Sequence, residues 1–96
     1  MTGEFAGTLR ERVEVWRRED RRDGLGGAAG DWVPLGGSWA AVAPAGFPRW
    51  RVAMRARDLK VGDRIGWRGR VLAVAAVDAD PRTPDRIEAI GEEQRG

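Results

Sequence analysis

The chain has 96 residues, 17 basic against 15 acidic groups, a net charge of +2, and no Cys, His or Tyr. Without Cys or His it has no disulfide, thiolate nucleophile, imidazole base or ordinary zinc site, and Ser38 is its only serine, so a conventional enzyme is not expected. A chain this short makes one domain, residues 1–96, with a thin core, and its five Trp are expected to fill much of it.

The N-terminal residues, MTGEFAGTLRER, show no basic region followed by an apolar run, so no secretory leader is expected. Residues 4–12 could form a short helical turn. Arg12 to Trp16 then alternates and is β-branched, which reads as a strand. Trp16 falls opposite Val13 and Val15 in that alternation and is a candidate for a subunit contact. Asp23 to Gly30 is too rich in Gly for a regular element and reads as a turn or mobile loop, with Leu25 as its one large apolar group. Trp32-Val33 and Ser38 to Ala43 read as two short strands separated by Pro34 and the Gly36-Gly37 pair. Pro44 to Pro48 is a break with Phe47 at its tip. The uncharged run from Trp32 to Pro48 is too interrupted to cross a membrane, and no membrane partner is expected.

Residues 50–56 alternate most cleanly. Trp50, Val52, Met54 and Ala56 share the inner face, which sends Arg51, Arg55 and Arg57 outward, joined by Arg49. These four arginines could contact phosphates of a polyanion or form a plain solvated face. Residues 63–77 read as a hairpin turning at Arg68-Gly69, where Gly69 permits the positive φ of a two-residue connection. Val71 to Val77 is apolar on both faces and should be covered twice. Asp78 to Asp85 carries two prolines and is a loop, and Arg86 to Ile90 is a last short strand. The whole is an all-β domain, a small barrel or sandwich of about six short strands.

Charge is unevenly spread. Residues 49–70 hold eight basic groups against Asp58 and Asp63, whereas residues 78–96 hold six acidic groups against three arginines. A basic middle and an acidic end suit head-to-tail contacts between copies, with Asp78, Asp80 and Glu88 as acidic interface candidates beside Trp16, Leu25 and Phe47. The carboxylate pairs Asp78/Asp80 and Glu92/Glu93 lack the neighbours that catalysis or an ion site needs, so no catalytic residue, metal or cofactor is assigned.

Taken in order, these segments resemble the head–tail joining family of tailed bacteriophages and gene transfer agents, also called head-closure or stopper proteins. The matches are Leu9, Arg12, Val13 and Val15; Asp23, Gly26, Gly27 and Trp32; Trp39, Ala40, Val42 and Pro44; Val52, Met54 and Arg55; Gly62, Arg64, Ile65, Gly69, Arg70, Leu72 and Val74; and Ile87. The chain departs from the family between the third and fourth groups, where Ala45 to Arg49 replaces a much longer segment that tends to reach into the central channel. The resemblance implies a β-barrel that assembles as a six-fold ring between the portal or its adaptor and the tail terminator or tail tube. Such a ring would contact double-stranded DNA without reading its sequence. Its place would be the neck of a virion or gene-transfer-agent particle, assembled in the bacterial cytoplasm. The competing reading is an SH3-like nucleic-acid-binding module, monomeric and acting through the 61–77 hairpin and the arginine face.

Overall fold

The computed structural model describes residues 8–19, 21–22 and 28–94, so Leu25 and most of the Asp23–Gly30 segment lie outside the described residues. The elements bounded among the described residues are all strands: β1 (Glu11–Arg18), β2 (Arg21–Arg22), β3 (Ala28–Ala29), β4 (Trp32–Pro44), β5 (Arg49–Arg55), β6 (Arg64–Trp67), β7 (Arg70–Asp78) and β8 (Arg86–Glu93). Six of them close into a barrel in the order β1-β4-β5-β8-β7-β6, with each neighbouring pair antiparallel. Closure gives each of the six strands a partner on both sides over part of its length and buries one face of each. β1 meets β6 only over Glu14–Trp16. Beyond that point β1 and β4 continue as a two-stranded ribbon, carried on by the β2–β3 pair, and the molecule measures 54 × 27 × 19 Å.

The 63–77 hairpin forms as expected. Arg68 (φ 48°) and Gly69 (φ 75°) supply the paired positive φ of the tight turn that matches strand twist. The two short strands expected around Pro34 are instead one continuous strand. Register shifts by one residue where Val15 faces Gly36 and Trp16 faces Pro34, so Leu35 is an extra residue on β4. This bulge absorbs both breakers: Gly36 takes φ 98°, and Pro34 sits where the ladder is already disrupted. A second shift, between Val74 and Ala76, bends β7 around β8. The Phe47–Pro48 peptide in the β4–β5 turn is cis.

The core is aliphatic. Val13, Val15, Val52, Met54, Ile65 and Leu72 are fully buried, and Trp67 is the one Trp in the buried cluster. The expectation that tryptophans fill the interior fails because a six-stranded barrel leaves little axial room. The rings sit at its ends and outside. At the end that carries the β4–β5 turn, Trp50 and Trp67 meet edge to face at 4.9 Å. Arg70 lies 5.3 and 5.1 Å from their centroids, and their indole N–H groups donate to Glu93 (3.0 Å) and Glu11 (2.8 Å). The plug thus satisfies each polar tip while excluding water from the core. Val71, Ala75 and Ala76 are exposed, so β7 is covered on one face only.

Candidate assembly and nucleic-acid surfaces

The alternation of β5 places Arg49, Arg51 and Arg55 on the outer wall. Arg57 is not with them. β5 ends at Arg55, the alternation lapses, and Ala56 is exposed rather than inward. Arg57 turns back onto the β4 bulge, where its guanidinium donates to the carbonyls of Leu35 (2.9 Å), Gly36 and Gly37 (both 3.4 Å). It is a strut that satisfies carbonyls freed by the bulge, which removes it from the candidates for DNA contact.

The remaining arginines differ in their partners. Arg51 pairs with Glu88 of the same chain at 2.9 Å, diagonal neighbours across β5 and β8. Arg49 stands opposite Glu92 and Arg55 opposite Arg86, and neither Arg49 nor Arg55 makes an ion pair among the described residues. The outer wall is therefore mixed in charge, with Arg49 and Arg55 the groups most available to an external anion. Of the acidic candidates, Glu88 is taken by Arg51. Asp80 receives the Arg82 N–H (2.9 Å) and side chain (3.1 Å), which hold its carboxyl below the usual range. Asp78 is exposed and faces Glu88 across β7 and β8.

The other side of the barrel carries an apolar groove of about 230 Å³ lined by Trp16, Trp32, Arg64, Gly66 and Val71. Antiparallel register sets Trp16 against Arg64, and Gly66 against both Glu14 and Val71. Gly66 forms the floor because it lacks a side chain. Trp32 makes one wall with the Arg64 guanidinium 4.1 Å from its ring centroid. Trp16 is 37% exposed and Phe47, on the turn at the opposite end, 70%. Sequence reasoning singled out Trp16 but missed Trp32, Arg64, Gly66 and Val71 as walls of one groove, which the β1–β4, β1–β6 and β6–β7 registers bring together.

Beneath the ribbon, Arg17 fixes the 57–63 loop. Its guanidinium grips Asp63 twice (2.9 and 2.8 Å) and Asp58 once (3.0 Å). Asp63 is only 3% exposed and also accepts the Lys60 N–H at 2.9 Å. Burial alone would raise the Asp63 pKa, but the bonds from Arg17 and Lys60 and the charge of Arg17 hold it below the usual carboxylate value.

Among the described residues there is no cluster of carboxylates fit to hold a metal ion, and no helix long and apolar enough to cross a membrane. The barrel thus carries a mixed-charge wall on one side and an apolar groove on the other. The phage head completion protein family model matches residues 6–48, from before β1 to the end of the β4–β5 turn. The resemblance drawn from the sequence is borne out there. Protein SF1141 from Shigella flexneri 2a, solved in solution, is similar with a TM-score of 0.78 and 23% identity over 91% of this chain and 94% of that one. A chain from the virion of a native gene transfer agent particle is similar with a TM-score of 0.70 and 21% identity, over 88% and 96% of the two chains. These two likenesses are of fold. No curated protein matches the sequence.

Proposed function

We propose that this chain is a structural, non-enzymatic protein of the virion neck, a head–tail connector or stopper. It assembles as a six-fold ring between the portal or its adaptor and the tail terminator or tail tube, and helps retain and pass packaged DNA. The observation that carries this reading is the joint match: the head completion family model over β1 and β4, and the same barrel in a gene-transfer-agent virion. The protein then resides in the neck of a phage or gene-transfer-agent particle after assembly in the bacterial cytoplasm. No cofactor is needed for that work.

The physical features fit the role. A channel that passes duplex must hold phosphates without reading bases, and a few arginines per subunit repeated around a ring do so electrostatically. Arg49 and Arg55 supply that charge, since Arg51 is engaged by Glu88. Trp16 and Phe47 offer apolar contacts, and Asp78 an acidic one, to neighbouring copies or neck proteins.

Deletion of the gene in its particle-producing host tests the reading. Heads that package and then lose DNA, beside unattached tails, are expected, with normal particles restored by complementation. Arg49→Glu with Arg55→Glu should give assembled particles that leak DNA. Normal particles from the deletion strain, with tight nucleic-acid binding by a monomer in solution, would establish the SH3-like module instead.

A further inference from the structure

We propose that Phe47 of one copy docks into the Trp16–Trp32–Val71 groove of a second copy, and that this contact forms weakly with no other protein present. The inference rests on the ring reading above and names the contact that would build the ring.

Three observations converge on a second copy as the occupant. The first is size. An apolar cavity of about 150 Å³ accepts one benzene ring, and the groove, at about 230 Å³, holds a phenyl group and little more. The second is placement. The groove lies on β1, β6 and the start of β7, with Trp32 at the far end of β4 as one wall, whereas Phe47 projects from the β4–β5 turn beyond the other end of β4; β5 stands across the closed barrel from β6. A knob and a hole at separate places on one molecule make a head-to-tail contact between copies, which gives a ring where the rotation from copy to copy closes and an open filament where it does not.

The third is charge. Arg64 at the groove stacks on Trp32 but has no carboxylate partner among the described residues. Beside the knob, Glu92 is exposed on the outer wall opposite Arg49, and its side chain makes no ion pair there. Seating Phe47 brings an acidic rim group towards a cationic one. The other exposed apolar side chains fit less well. Trp39 is engaged by the Arg12 guanidinium 5.6 Å from its ring centroid, and Val61 sits beside Trp32 at the groove's own end of the barrel.

The test places para-azidophenylalanine at position 47 in the purified chain at millimolar concentration, mixing isotope-labelled and unlabelled batches so that cross-links between copies are identified by mass. Cross-links to Trp16, Trp32, Arg64 or Val71 of the other copy are expected. Gly66→Leu should abolish them by filling the groove. The φ of Gly66 is not positive, and an added Cβ would meet its nearest neighbours at 3.8 and 3.9 Å, so the barrel tolerates the change. Phe47→Ala should weaken self-association at least about tenfold by sedimentation, the loss of one buried ring. Arg64→Glu should weaken it too, and adding Glu92→Arg to that chain should restore it. Self-association with cross-links elsewhere overturns the contact and leaves the ring standing. A chain that stays monomeric at millimolar concentration also overturns it, while the deletion strain decides the ring separately.

Discussion

Asp63→Ala removes the carboxylate at the root of the ribbon. It takes away two bonds from Arg17 and one from the Lys60 N–H, all at 2.8 to 2.9 Å. Removing one partner of a buried ion pair costs about 3–5 kcal/mol when the other is left buried and unpaired. Arg17 is not left so badly: its side chain is 28% exposed and it keeps Asp58 at 3.0 Å. The expected loss is therefore about 2–3 kcal/mol, which lowers the Tm of a domain this size by roughly 10–20 °C. Asp58→Ala, at a carboxylate 69% exposed, should cost under about 1 kcal/mol. Urea denaturation of both variants, of Arg17→Met alone and of the two double mutants gives the coupling energies directly. The depressed pKa of Asp63 adds a signature. Its contribution is fully present above the unfolded carboxyl value and is lost as pH falls through the lower folded value. The wild type should thus lose stability in acid by a component that Asp63→Asn lacks. Equal losses from Asp58→Ala and Asp63→Ala, or an unchanged acid slope in Asp63→Asn, would refute the reasoning.

Gly91→Ala should destabilise by about 1–3 kcal/mol in urea, because its Cβ would stand 2.8 Å from that of Leu72 in the barrel interior. Arg57→Ala should cost about 1–2 kcal/mol through the freed bulge carbonyls, whereas Arg55→Ala, on the same segment but without those bonds, should be silent in thermal melts. Light scattering at micromolar concentration should find the isolated chain monomeric or weakly associated, since its exposed apolar groups are scattered rather than continuous.

Period-2 patterning carried most of the fold. Val13 and Val15, then Val52 and Met54, then Ile65 and Trp67 alternate with polar or small neighbours in the chain and point inward in the barrel. Patterning failed where a bulge changed the phase. Pro34 and the Gly36-Gly37 pair look like a break, yet one extra residue on β4 lets the strand pass through them. Arg57 was misplaced because alternation says nothing about where a strand stops. The arginine wall was readable, but its pairing was not: Arg51 and Glu88 are 37 positions apart and meet only through the β5–β8 register. The groove was hidden for the same reason, since Trp16 and Trp32 reach Arg64, Gly66 and Val71 of the 64–71 hairpin only through the β1–β4 and β1–β6 registers.

The ribbon has a mechanical consequence. It is built from the same two strands that form part of the barrel wall, so it is a cantilever rather than a tethered flap. A load applied at Arg18 and Trp32 runs down the hydrogen-bonded β1–β4 ladder into the wall. At the root, Arg17 ties the beam to Asp63 and Asp58 on the loop before β6, and Trp32 braces the far side through Arg64. Tilting the beam must therefore strain β6 and the wall it shares with β1, which makes the barrel itself the spring against which the ribbon bends.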